Sequence, residues 1–118
     1  MNVEELREYC ISMKGVEESM PFGPEALVLK VMGKVFLIAS LNSTPFQFNV
    51  KCDPEKAIEL REQYDCVIPG FHMNKKHWNT IILDDSVSDA FLKTWIVDSY
   101  NLVFTKLTKK QKSEFFAL

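Results

Sequence analysis

Two runs rich in β-branched and aromatic residues, Ala26 to Met32 and Lys34 to Leu41, flank a single glycine, Gly33. Such runs favour extended backbone, and glycine supplies the positive φ that a tight turn demands. The spacing predicts a β-hairpin, and the rest of the chain must be arranged around its sheet. Phe46, Phe48 and Val50 then alternate with Gln47, Asn49 and Lys51, which predicts a third strand with one apolar and one polar face. The sheet begun in this way is antiparallel.

Helical spacing flanks these strands. Val3, Leu6, Cys10 and Met13 recur on one face opposite Glu4, Glu5, Arg7 and Glu8, predicting a helix over 2–14 that ends near Gly15. Asp53 followed by Pro54 offers an N-cap acceptor and then the residue best suited to the first helical position, opening a helix over about 54–64. Residues 66–71 and 77–83 suit a second pair of strands around Pro69-Gly70. Ser86-Val87-Ser88-Asp89 resembles a capping box for a long helix that buries Phe91, Leu92, Trp95, Ile96, Leu102 and Val103. Thr108 and Gln111 form a similar box for a short last helix carrying Phe115 and Phe116. The fold expected is α+β: an antiparallel sheet of about five strands, helices packed on one face and the other face open to a ligand.

Length and composition suit this fold. A chain of 118 residues that is 47% hydrophobic, with nine Phe, reads as a single domain over 1–118, and such a domain buries roughly two thirds of its unfolded surface. Only 25% of residues are charged, which excludes a disordered polar chain. The longest apolar run, Val35 to Ala39, is far short of the roughly 20 residues that span a bilayer, so no membrane association is expected. Met1 to Leu6 lacks the basic and apolar regions of a secretion signal, which points to the cytoplasm. Cys10, Cys52 and Cys66 form no CxxC pair and read as reduced thiols.

The net charge of −2 conceals a segregation. Residues 1–25 and 52–65 are rich in acids, whereas Lys30, Lys34 and Lys51, then Lys75 and Lys76, lie in segments without any. The last stretch adds Lys106, Lys109, Lys110 and Lys112 against Glu114. One negative and one positive surface are expected of the folded molecule.

Residues 72–78 concentrate this chemistry. Lys75 and Lys76 suit phosphate oxygens, Trp78 suits base stacking, and His72, Asn74 and His77 add hydrogen-bonding groups. The bland alternative is a solvated loop anchored by Trp78. The only arginines, Arg7 and Arg61, lie in acid-rich helices, which leaves no bidentate guanine reader and favours non-specific contact. The pI of about 5.7 weighs against DNA unless the lysines converge. Cys66, His72 and His77 make a weak zinc set without a fourth ligand. No nucleophile elbow, phosphate loop or metal motif supports catalysis, and Ser99-Tyr100 reads as a structural pair within its helix.

Three stretches together carry a family likeness: Pro21-Phe22-Gly23 before the hairpin, Pro69 to Trp78 with Thr80, and Asp98-Ser99-Tyr100. With them the chain resembles the MmcQ/YjbR family over nearly its whole length. The resemblance implies a frataxin-like α/β fold and a bacterial DNA-binding role through a double-wing arrangement of sheet loops. It points to residues 69–78 as one wing and to Met32-Gly33-Lys34 as the other. It also raises, by analogy of fold, weak metal binding on Glu4, Glu5 and Glu8 with Glu55, Glu59 and Glu62.

The expectation is therefore a cytoplasmic, monomeric, non-enzymatic protein without cofactor or structural metal. It would bind DNA weakly through a lysine-lined sheet face and wing loops, with Lys30, Lys34, Lys51, His72, Asn74, Lys75, Lys76, His77 and Trp78 as the contacts. The alternative is an adaptor domain that engages a protein partner through its charged surfaces.

Overall fold

The computed structural model describes residues 1–118. In chain order the elements are α1 (Val3–Ile11), β1 (Val16–Ser19), β2 (Ala26–Val31), β3 (Lys34–Ser40), β4 (Gln47–Lys51), α2 (Pro54–Gln63), β5 (Val67–Pro69), β6 (Trp78–Ile82), α3 (Asp89–Thr105) and α4 (Lys109–Phe116). The strands form one antiparallel sheet in the order β1-β2-β3-β4-β6-β5. The hairpin at Gly33 and the β5–β6 pair are as expected. The count is six rather than about five, because Val16-Glu17-Glu18-Ser19 adds an edge strand that its two acids disguise.

Caps set the helix ends. The Asn2 side chain accepts from Glu5 N at 2.8 Å, and α1 stops at Ile11, earlier than expected, because residues 12–15 turn the chain into β1. Asp53 caps α2 through the amides of Glu55 and Lys56. Ser88, not Ser86, caps α3, while Ser86 hydrogen-bonds the Asp84 carboxylate in the preceding turn. Thr108 and Gln111 form the expected reciprocal box at α4.

Register assigns the two sheet faces. Leu29, Leu37, Val50 and Asn79 share one face across four strands, as do Leu27, Ala39, Phe48 and Ile81. These apolar side chains meet Leu6 and Cys10 of α1, Leu60 of α2, and Leu92, Trp95, Ile96 and Val103 of α3 in a single core. Between Leu29 and Lys30 the register slips, leaving Phe36 as an extra residue on β3. Such a bulge turns successive side chains to one side. Phe36 accordingly joins Leu37 in the core, edge-on to the Tyr100 ring of α3 at 5.5 Å. Ser99 fastens α3 to the same place, with its Oγ accepting from Lys51 N at 2.8 Å and donating to Phe36 O at 2.5 Å. The Tyr100 hydroxyl donates to Lys14 O, so the pair is structural, as read from the sequence.

One apolar expectation is corrected. Phe91 is half exposed, lying over Tyr64 and Trp95 at the rim of the core. Helix α4 buries no residue, and Phe116 is largely exposed, because this helix covers the end of the sheet, with Gln111 Nε2 donating to Met32 O, rather than its face.

Candidate nucleic-acid interface and the sheet-face cleft

Strand direction brings the separate lysine segments together. Strands β2 and β4 finish, and β3 and β6 begin, at the same end of the sheet. Lys30, Lys34 and Lys51 therefore lie at that end, beside the β5–β6 loop that carries Lys75 and Lys76. Helix α4 reaches the same end through its contact with Met32, bringing Lys109, Lys110 and Lys112. Lys14 stands in the turn before β1, with its ammonium over the Phe115 ring. The acids at this end are Glu17, which faces Lys30 across β1 and β2, Asp53 and Glu55 at the start of α2, Asp98 of α3 beside Lys51 and Cys52, and Glu114 on α4. Glu25, Asp84, Asp85 and Asp89 occupy the opposite end. The lysines are thus gathered at one end of the strands, with acids among them, rather than spread over one face of the sheet.

The β5–β6 loop, residues 70–77, is held by its own polar groups and by one side chain of α2. Arg61 of α2 donates from Nε to Asn79 Oδ1 at 2.6 Å, and from its terminal nitrogen to the carbonyls of Lys75 and Trp78. Asn74 caps the turn, its Oδ1 accepting from Lys76 N and its carbonyl from His77 N and Trp78 N. Lys75 Nζ donates to Gly70 O at 2.9 Å, so this lysine braces the loop from within. Lys76 is exposed and bonds through its backbone only. His77 and Trp78 are partly buried where β6 begins, and the Trp78 side chain lies so close to Gly70 that a Cβ there would sit 2.8 Å from it. Of the residues singled out from sequence, Lys34 and Lys76 are exposed, and Lys30 and Lys51 partly buried, at the lysine end of the sheet. Asn74, Lys75 and Trp78 chiefly shape the loop.

His72 turns elsewhere. Phe71 N donates to Thr80 Oγ1 at 2.9 Å, which folds residues 71–73 back over the sheet face opposite the helices. That face is therefore partly roofed rather than fully open. A cleft of about 620 Å³ remains between this segment, the β1–β2 loop with Phe22 and Glu25, and the β3–β4 loop with Asn42 and Ser43. Its floor is Ala26, Ile38, Ser40, Gln47 and Asn49. No lysine or arginine lines it. Phe22, Glu25, Gln47, Asn49 and Phe71 were not among the sequence candidates, although the alternation along 46–51 already sets Gln47 and Asn49 apart from the core.

Cys66 is buried in the core, away from the exposed His72, and no group of three or more His, Cys, Asp or Glu side chains comes together as a metal site, on the acidic helices or elsewhere. Burial pushes the Cys10 thiol up to about 12. Burial, with Asp98 and Asp53 nearby, pushes Cys52 up to about 11. Neither has the lowered pKa that activates a thiolate. No helix is long and apolar enough to cross a membrane.

Known proteins share this architecture. A crystal structure of a Deinococcus radiodurans protein with a DUF419 domain superposes with a TM-score of 0.90 at 34% identity, covering 97% of this chain and 87% of that one. A Pseudomonas syringae protein shares the fold at a TM-score of 0.76 and 22% identity, over 86% of this chain and 98% of that one. Among sequences, the uncharacterised protein YbdF of Escherichia coli O157:H7 is 39% identical over 110 residues, 92% of this chain and 89% of its own length. The uncharacterised protein YjbR of Escherichia coli K12 is 31% identical over 113 residues, 95% of each chain. The family model described as YjbR matches residues 11–102. This chain belongs to the YjbR family.

Proposed function

We propose that this protein is a non-enzymatic, cytoplasmic nucleic-acid-binding protein that meets the phosphate backbone of DNA with the basic end of its sheet, weakly and with little sequence preference. One observation carries the reading. Lysines from four separate segments, Lys30 and Lys34, Lys51, Lys76, and Lys109 with Lys110, converge at one end of a molecule whose net charge is negative. A local basic patch attracts phosphate whatever the total charge, because screening confines each charge's reach to about 10 Å at 0.1 M salt. The β2–β3 turn and the β5–β6 loop project from this end and would serve as the two wings. Lysine without arginine supplies point charges and no bidentate base readout, hence low specificity. Three unpaired cysteines agree with a reducing compartment.

An amide chemical-shift titration with a short DNA duplex, at low and at near-physiological salt, tests this reading. Salt-sensitive shifts at Lys34, Lys51 and Lys76 are expected. Absence of shifts at low salt would overturn it in favour of a protein partner at the charged ends.

A further inference from the structure

The cleft on the sheet face is chemically unlike the basic end. We infer that it is a binding site for a nucleobase, held edge-on to the β4 amides and stacked against the aromatic rim.

Its hydrogen-bonding groups are preset. The Phe71 amide donates to Thr80 Oγ1, and the Thr80 hydroxyl in turn donates to Asn49 Oδ1, which leaves the Asn49 NH2 group as the available end of that side chain. Ser40 likewise engages Asn42 Oδ1 and leaves its NH2 group available. Gln47, next along the polar face of β4, adds both a donor and an acceptor, and Glu25 adds a carboxylate that accepts only. Donors and acceptors side by side match the edge of a base, and the carboxylate favours one with an exocyclic amino group. A carboxylate in a cleft without cations repels phosphate, so the occupant presents a neutral ring and keeps any phosphate outside.

The rim supplies flat apolar surface. Phe71 is 57% and Phe22 71% exposed, on loops that border the cleft from different sides. The His72 ring lies 4.1 Å from that of Phe71, at a backbone φ of 59°. Positive φ is uncommon outside glycine, and such residues gather at ligand clamps. Solvent-facing aromatic rings beside unpaired amides are the means by which proteins hold unstacked bases. The volume of about 620 Å³ lies within the roughly 300–1,000 Å³ of small-molecule sites.

A base can arrive as a free nucleoside or on a single strand whose phosphates run to the lysine end; only the second source rests on the function proposed above. The test is a chemical-shift titration of the full chain with each free nucleoside at millimolar concentration, then with a short single strand and the matching duplex. The same series is run on Phe71→Ala and on Lys34→Ala with Lys76→Ala. At least one nucleoside is expected to shift the amides of Phe71, His72, Gln47 and Asn49, with affinity lowered about tenfold in Phe71→Ala and unchanged in the lysine variant. Tighter binding of single strand than duplex would assign the site to a strand; nucleoside shifts without that preference would assign it to the free compound. No cleft shifts with any nucleoside or single strand would overturn the inference, whereas loss of duplex binding alone would count only against the lysine end.

Discussion

Replacing Ser99 by alanine removes one hydroxyl that completes two backbone groups in different strands. Ser99 is fully buried on α3, and its Oγ accepts from Lys51 N of β4 and donates to Phe36 O at the β3 bulge. Alanine fits the space and keeps the helix, so packing changes little. What changes is that a buried N–H and a buried C=O lose their partner together. An unsatisfied buried group costs about 1–3 kcal/mol, and two of them put the loss near 3 kcal/mol for Ser99→Ala. For a domain of this size that is a fall in Tm of about 10 °C. Urea unfolding with an unchanged m-value is the assay. Thr94→Ala is the control, since that hydroxyl donates to Ala90 O on the exposed side of the same helix and its loss should cost less than about 0.5 kcal/mol. A loss below about 1 kcal/mol for Ser99→Ala would refute the reasoning, because it would mean that the strands satisfy these groups without α3.

Arg61→Ala should cost about 2 kcal/mol and speed amide hydrogen exchange across residues 70–78, because buried Asn79 and two loop carbonyls lose a charged donor; exchange unchanged in that loop would count against the brace. Gly70→Ala should destabilise by about 1–3 kcal/mol in thermal unfolding, since the added Cβ meets the Trp78 Cβ at 2.8 Å and its carbonyl oxygen at 2.9 Å. The two-point hydrogen bond from Arg7 holds the Glu18 carboxyl below its usual range. A carboxylate lowered in the folded state stabilises above its unfolded pKa and loses that contribution as pH falls through the folded value. Glu18→Gln should therefore be less stable than the parent at pH 7, with the difference shrinking on acidification; a constant difference in denaturation midpoint across pH 7 to 2 would exclude the linkage.

Periodicity made most of the fold legible. The hairpin around Gly33, the alternating strand at 47–51 and the caps at Asp53 and Thr108 are local signals that tertiary structure did not override. Strand β1 was hidden because Val16-Glu17-Glu18-Ser19 has no apolar alternation; its extended form comes from pairing with the β2 edge, and its acids suit an exposed border. The lysines were visible as residues, but their convergence depends on strand direction, which no local window contains. Arg61 looked like a charge on an acidic helix, and only the fold of residues 70–77 back toward α2 turns it into a brace. The cleft was the least legible feature, because it is made by three loops meeting over one sheet face.

The central claim is that phosphate contact is made by lysines at one end of the sheet. Its most direct test is the dependence of duplex affinity on salt for the parent chain and for Lys34→Ala with Lys76→Ala. The expected result is weaker binding for every sequence tried and a plot of log K against log salt that is shallower by up to about 2, since each lost phosphate contact removes about 0.9 from the slope. An unchanged affinity and slope in the double variant would contradict it.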